Sequence, residues 1–196
     1  MDFRLLGALE VSAGGVAADL GPPKQRALLA ILVLHVGEIV PIDRLIELLW
    51  GDSPPRTANH SIQIYVSDLR KAFEALGAKG VLSTRSPGYQ LNADADSIDI
   101  RQFEARVREG RRKLREGDPD TGAAELRTAL RLWRGPAFSD FTYEEFAQPP
   151  PPLDRHRTTR YAASGDPART RTARRVASAI DSVATMRHQQ PSSCQR

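Results

Sequence analysis

The 196-residue sequence contains a single cysteine, and this scarcity excludes several kinds of site. Cys194 cannot form a disulfide within the chain, nor can it supply a cysteine-rich zinc site. A reducing, cytoplasmic environment is the simplest setting for such a sequence. The four histidines are scattered without metal-ligand spacing, at His35, His60, His156 and His188. We therefore expect no metal and no other cofactor.

Long hydrophobic runs are missing as well. The longest apolar stretch, 27–36, is much shorter than the ~20 residues that a membrane-spanning helix needs. The N-terminus has no basic region followed by an apolar run, which is the pattern of a signal peptide. The sequence therefore predicts a protein that is neither secreted nor embedded in a membrane.

Catalytic motifs are also absent. The sequence contains neither a nucleophile elbow nor a glycine-rich phosphate loop, so we do not expect an enzyme. The chain does have a mild basic excess, with 28 lysines and arginines against 24 aspartates and glutamates, which gives a formal net charge of +4. Such an excess fits a nucleic-acid partner, although many proteins without one share it.

The first region, residues 1 to about 96, mixes short apolar segments with helical patterns. Segment 3–11 is apolar and is followed by a glycine pair, which predicts a strand entering a turn, with 16–20 as its partner. Residues 81–84 and 89–91 flank a short turn and predict a hairpin. Apolar residues recur at helical spacing between these strands, which predicts helices over 24–35, 42–50 and about 57–76.

The third helix has two unlike sides. Thr57 is suited to cap its start, and a stripe is expected to be buried at Ile62, Val66, Leu69, Phe73 and Leu76. The other side carries groups that can bind base edges and phosphates, with Ile64 and Tyr65 on its edge. These polar groups are Asn59, Gln63, Ser67, Arg70 and Lys71.

A polar helix face alone is weak evidence, because most helices in soluble proteins have one. The order of the elements adds to it, since two helices, a longer helix and a hairpin form an α+β winged helix-turn-helix domain. In that arrangement the third helix enters the major groove. Arg85, in the turn of the hairpin, can then reach a phosphate or the adjacent minor groove.

The rest of the chain differs in residue pattern and composition. Residues 97–148 predict a helical hairpin, with Ser97 or Asp99 as the first cap, a turn at 117–120 and a second helix over 123–133. Residues 149–196 open with four prolines and lose lysine and glutamate after Leu153, while arginine stays frequent. We expect this tail to be disordered, because it has too few large apolar residues to bury a core.

Five motifs occur in an order that resembles one known family. They are KQRALLA (24–30), VPIDRLI (40–46), LWGD (49–52), IYVSDLRK (64–71) and TRSPGYQL (84–91). Together they resemble the DNA-binding domain of the actinobacterial antibiotic regulatory protein (SARP-type) family, which is an OmpR-type winged helix. The resemblance implies a bacterial transcription regulator that binds duplex DNA, with the winged helix over residues 1–96.

The second region also resembles this family, whose members continue with a TPR-like bacterial transcriptional activation domain. The motifs are DIRQF (99–103), GDP (117–119) and ALRLWRGPA (129–137), followed by 138–146. The likeness then ends after Gln148, so we expect a partial activation domain over 97–148. Stacked helical repeats need neighbours that cover their apolar faces. Because the likeness ends abruptly and arginine, proline and serine become frequent, we hypothesise that the residues after Gln148 come from a shifted reading frame.

The resemblance also assigns roles to individual residues. On the recognition helix, about 57–76, it implies DNA contacts at Ser61, Ile64, Tyr65, Asp68, Arg70 and Lys71, with Arg85 on the wing. It implies an RNA polymerase contact in the loop formed by Trp50, Gly51, Asp52, Ser53, Pro54 and Pro55. Asp68 is unusual beside phosphates. It can select a base such as cytosine, or it can pair with a neighbouring arginine or lysine on the surface.

Two functions remain open at this stage. The favoured one is sequence-specific binding to promoter DNA, as a homodimer on direct repeats of the kind that family members bind. The alternative is a truncated regulator that acts through protein–protein contacts, as a decoy or an inhibitor of a full-length relative or its kinase. A DNA-selection experiment and a protein pull-down distinguish the two.

Overall fold

A computed structural model describes residues 1–141 of the chain. Within this part, two small antiparallel sheets and five α-helices follow the predicted order, so the winged helix and the start of the helical region are confirmed. The predictions for 142–148 and for the tail, 149–196, lie outside the described residues.

The N-terminal sheet has the order β1-β2-β3, formed by Asp2–Arg4, Glu10–Ala13 and Val16–Ala17. The prediction of one strand over 3–11 is therefore wrong, since the chain bends between β1 and β2. The side chains of Leu5, Leu6 and Leu9 are all buried, whereas consecutive residues of a strand point to opposite faces. Gly7, with a φ of 149°, lies within this bend.

Helices α1 (Pro23–Leu34), α2 (Ile42–Trp50) and α3 (Ala58–Ala75) form the centre of the first region. Their bounds agree with the predicted helices to within a residue. From Ala27 to Leu34 every residue of α1 is buried, because α2 and α3 both pack against this helix. Thr57 does occupy the N-cap position of α3, but its side chain makes no capping hydrogen bond, so that detail of the prediction is wrong.

The wing belongs to a second sheet, which has one strand more than predicted. The hairpin of β5 (Leu82–Arg85) and β6 (Gly88–Leu91) is extended by β4 (Ile39–Pro41), and the order is β4-β6-β5. A three-residue strand that ends in proline has no period that a sequence pattern can detect. At Gly88 any side chain would overlap the carbonyl of Val40, so glycine allows β6 to approach β4.

The helical hairpin consists of α4 (Asp99–Arg115) and α5 (Pro119–Leu130). A β-carbon added at Gly110 or Gly122 would lie 3.0 Å from the carbonyl oxygen of the other residue, so the helices are closest at this glycine pair. The predicted start of the second helix at Ala123 is wrong. The helix begins four residues earlier, where Asp118 accepts a hydrogen bond of 3.2 Å from the Thr121 amide.

The two regions share one continuous apolar core. Phe3 of β1 packs edge-on against Phe73 of α3, with ring centroids 6.2 Å apart. Phe103 of α4 packs in the same way against Trp133, at 5.7 Å. Phe138 and other residues of the helical region bury their side chains in the same cluster as the winged helix. Helix α3 therefore packs on a core to which both regions contribute.

Candidate nucleic-acid interface

Helix α3 buries one side and exposes the other, as predicted. Ala58, Ile62, Val66, Leu69 and Phe73 form the buried side, while the predicted Leu76 is only half-buried just beyond the helix. The predicted contact residues face outward to different degrees. The exposed residues are Asn59, Gln63, Ile64, Ser67 and Lys71, and the half-buried ones are Ser61, Tyr65, Asp68 and Arg70.

Arg70 is tied to the wing. Its Nε donates to the carbonyl of Leu82 at 2.9 Å, and its Nη2 donates to the hydroxyl of Thr84 at 2.8 Å. Both partners lie on β5, so this guanidinium joins α3 to the hairpin. The arginine fork suits such a two-point contact, which a lysine ammonium cannot reproduce. The geometry thus gives Arg70 a positioning role in addition to its predicted contact with DNA.

Lys71 is the next residue and has a different environment. Its Nζ lies 2.9 Å from Oδ1 of Asp68, one turn earlier on the same face. The surface pair that the sequence left open for Asp68 is therefore present. The Lys71 side chain is 74% exposed, and such exposed pairs contribute only ~0.2–1 kcal/mol. The ammonium can exchange this partner for a phosphate at little cost.

The wing presents Arg85 to solvent. Arg85 is the last residue of β5 and pairs with Gly88 across a connection of two exposed residues, Ser86 and Pro87. On the other side of β6, the pairing with β4 and a hydrogen bond of 2.7 Å from the Gln90 amide to the Gly37 carbonyl fix the hairpin. The predicted position of Arg85 in the turn is therefore wrong, and this exposed cation lies at the end of a supported strand, directly before the turn.

The loop predicted to contact RNA polymerase follows α2. Trp50 and Gly51 are half-buried, and the rest of the loop is exposed at Asp52, Ser53, Pro54 and Pro55. Lys24 of α1 donates from Nζ to the Leu49 carbonyl at 2.7 Å and so fixes the end of α2 from which the loop departs. Lys24 belongs to the motif KQRALLA (24–30), and this contact with the end of α2 was not predicted from the sequence.

A buried carboxylate joins the two regions. Asp99 was predicted as a helix cap, and that role is wrong, as is the alternative of Ser97. Instead the Asp99 carboxylate accepts hydrogen bonds of 2.8–2.9 Å from the amides of Leu5 and Leu6, in the bend after β1. Burial raises the pKa of Asp99, and these amide donors oppose the rise. The carboxylate therefore satisfies two backbone donors that the bend leaves unpaired.

Two further charged pairs complete this contact, which we call the interdomain junction. It comprises residues 5–10 and the residues of the helical region that bind them. Arg134 donates to the Ala8 carbonyl at 2.9 Å and pairs with Glu10 at 2.6 Å. Arg26 of α1 donates to the Leu9 carbonyl and pairs with Asp140, while Asp140 also accepts from the Leu9 amide at 3.0 Å.

His60 is a residue that the sequence analysis missed for the interface. It is exposed on α3 one turn before Ile64, on the outward face. The helical spacing of four residues places it there, and that spacing was available from the sequence.

No described helix is both long enough and apolar enough to cross a membrane.

The fold of residues 1–91 places this chain among the winged-helix proteins. Comparison with known domains agrees, because the C-terminal domain of transcriptional regulatory proteins matches residues 19–91 and the bacterial transcriptional activator domain matches 98–191. This chain belongs to the SARP-type family of transcription regulators. The second match runs past Gln148 and contradicts the prediction that the likeness ends there. It also removes the main reason for the reading-frame hypothesis.

Individual relatives support the same family. The transcriptional regulatory protein EmbR of Mycobacterium tuberculosis is 38% identical over 151 residues, which are 76% of this chain and 39% of EmbR. The regulatory protein DnrI of Streptomyces peucetius is 35% identical over 147 residues, 71% of this chain and 54% of DnrI. The chain thus spans about two fifths to one half of the length of these relatives.

A solved structure shows the same architecture. Mycobacterium tuberculosis EmbR in complex with a low-affinity phosphopeptide superposes with a TM-score of 0.72 at 33% identity. The match covers 95% of this chain and 50% of that one. These relatives are transcription regulators rather than enzymes, in agreement with the class that the sequence predicted.

Proposed function

We propose that this chain binds duplex DNA in a sequence-specific manner and regulates transcription. Helix α3 would enter the major groove, and the wing would lie on the flanking backbone or in the minor groove. The observation that carries this proposal is the outward face of α3 beside the exposed Arg85. A helix fits the major groove, and side chains on its outward face can reach base edges there.

The contacts divide by chemistry. The cations that remain available for phosphates are Lys71, through its weak pair with Asp68, and Arg85. Arg70 holds the wing against α3, so its guanidinium would act on DNA mainly by fixing the angle between the two elements. Base edges would be contacted by Asn59, Ser61, Gln63, Ile64, Tyr65, Ser67 and Asp68.

Two partner contacts extend the proposal. The exposed loop 52–55 would contact RNA polymerase, because Lys24 fixes its origin and nothing in residues 1–141 covers it. Two copies would bind side by side on direct repeats of the operator. Such a regulator acts where the bacterial chromosome lies, in the cytoplasm.

The test is a selection of random duplexes by the purified chain, followed by binding titrations at several salt concentrations. We expect an enriched direct-repeat motif whose affinity falls linearly with salt on logarithmic axes. Arg85→Gln should lower the affinity for this motif and reduce the salt slope by about 0.9, the value for one lost phosphate contact. Arg108→Gln, which removes an exposed cation on α4, is the matched control and should leave both unchanged.

Other outcomes would contradict the proposal. Binding that is weak and free of any motif would mean that α3 does not read sequence. If a pull-down then recovered a tightly bound relative or kinase, the decoy function would replace the proposed one. If the wild type and the Arg85→Gln variant bind the motif with the same salt slope, only the proposed contact of Arg85 with a phosphate is contradicted.

A further inference from the structure

Ile64 is an apolar residue in the middle of the outward face of α3. Its surface is 45% exposed, although isoleucine is among the residues that proteins bury most often. Single exposed hydrophobic residues are common, and Val16, Ile39 and Leu114 are further cases in residues 1–141. Exposure alone therefore carries no inference, but the position of Ile64 does.

The helical period places Ile64 on the midline of the exposed side. One turn away on either side lie His60, Ser61, Ser67 and Asp68, and two turns away lies Lys71. All five are polar, and none of them belongs to the buried stripe of α3. When a helix enters the major groove with this side leading, the residue on the midline comes closest to the base edges.

The chemistry of the side chain limits what it can recognise there. Isoleucine has no donor and no acceptor, so it cannot pair with the nitrogen and oxygen atoms that distinguish most bases. The major groove offers one apolar feature among its base edges, which is the C5-methyl group of thymine. A polar base edge against Ile64 would lose its water without gaining a hydrogen bond.

We propose that Ile64 is a specificity residue that selects a thymine in the operator through contact with the thymine methyl group. This proposal rests on the proposed function, since it requires α3 to lie in the major groove. The polar neighbours of Ile64 would contact adjacent bases and phosphates, and these contacts fix the register of the helix. Ile64 then excludes the other bases at one position.

The experiment uses the full chain and the motif obtained from the selection. Each thymine of the motif is replaced in turn by deoxyuridine, which lacks only the methyl group. For the wild-type chain we expect one thymine in each half-site at which this change weakens binding about fourfold, the effect of one buried methyl group. Ile64→Ala should weaken binding to the thymine duplex on the order of tenfold and should no longer distinguish thymine from deoxyuridine at that position.

Val16→Ala is the matched control, because it shortens an exposed hydrophobic side chain on the N-terminal sheet. It should retain the discrimination of the wild type. Thermal unfolding of both variants checks that neither change disturbs the fold.

The outcomes separate this inference from the proposed function. An enriched motif in which no thymine is sensitive to loss of its methyl group would overturn the inference and leave the function intact. The same holds if Ile64→Ala still distinguishes thymine from deoxyuridine, because another residue would then contact the methyl group. Absence of any enriched motif would overturn both.

Discussion

The interdomain junction and the outward face of α3 use similar residues for opposite purposes. At the junction, Asp99, Arg134 and Asp140 all bind groups of the chain itself, and Asp99 is buried. On α3, Lys71 makes only an exposed pair, and Asn59 is exposed. Charge and polarity therefore do not mark the candidate interface. The candidate interface is marked instead by polar groups that the fold leaves accessible.

The largest effect is expected at the junction. Asp99→Ala leaves the amides of Leu5 and Leu6 buried without an acceptor, and each such loss costs ~1–3 kcal/mol. We expect the free energy of unfolding, measured with urea, to fall by about 3 kcal/mol. Asp120→Asn, an exposed carboxylate in the first turn of α5, is the control and should stay within ~0.5 kcal/mol of the wild type. Equal stability of both variants would contradict the assigned role of Asp99.

Arg70→Gln should lower the free energy of unfolding by a smaller amount and should also loosen the hairpin at the candidate interface. It removes the two hydrogen bonds to β5, and we expect a loss of about 1–2 kcal/mol by urea unfolding. Amide hydrogen exchange of β5 should become faster, because the hairpin loses its tie to α3. Arg70→Lys should restore neither the stability nor the slow exchange, because a lysine ammonium cannot reproduce the two-point contact of the guanidinium. If Arg70→Gln changes DNA affinity and leaves the exchange of β5 unaltered, Arg70 is a contact residue alone.

Lys71→Gln is the counterpart on the adjacent residue. The pair with Asp68 is exposed, so the free energy of unfolding should change by less than ~0.5 kcal/mol. The slope of log affinity against log salt should fall by about 0.9, as for one lost phosphate contact. Titration of the selected duplex at three salt concentrations measures this slope. An unchanged slope would remove Lys71 from the proposed phosphate contacts.

The smallest effect concerns the titration of Asp99. Burial raises the pKa of this carboxyl above its ordinary value of 3.8, so the folded chain holds the proton more tightly than the unfolded chain does. The contribution of this group to stability is therefore greatest below pH 3.8 and falls as the pH rises from 3.8 through the folded pKa. Carboxyl ¹³C NMR gives the midpoint directly, and a midpoint below 3.8 would contradict the expected direction.

Local patterns in the sequence predicted the helices well where apolar residues recur at a regular spacing. Helix α2 has the predicted bounds because its apolar residues recur at helical spacing, and α3 buries Ile62 and Val66 for the same reason. Strand β4 has only three residues, which is too short for any period. The bend at Gly7 was missed because a run of leucines looks apolar whether it forms one strand or two.

The roles of single side chains were harder to predict, because they depend on contacts between distant residues. Arg70 and Lys71 are adjacent cations in one motif. Only the position of β5 shows that the Arg70 guanidinium is bound to the hairpin whereas the Lys71 ammonium is accessible. Asp99 precedes a helix and so matches a capping pattern, yet its partners lie 93 and 94 residues earlier in the chain. Ile64 was implied as a contact residue by resemblance, and its predicted place on the edge of the polar side is wrong. The buried stripe of α3 puts Ile64 in the middle of the exposed side instead.

The bend at residues 5–9 also affects the order in which the chain can complete its fold during synthesis. Leu5 is synthesised 94 residues before its acceptor Asp99, and Leu9 is synthesised 131 residues before Asp140, the partner of its amide. Closing such long loops has an entropic cost that local contacts do not have. We therefore expect the bend to reach its final partners later than β1, which pairs with the nearby β2. Until then the side chains of Leu5 and Leu6 are expected to remain accessible to chaperones and proteases.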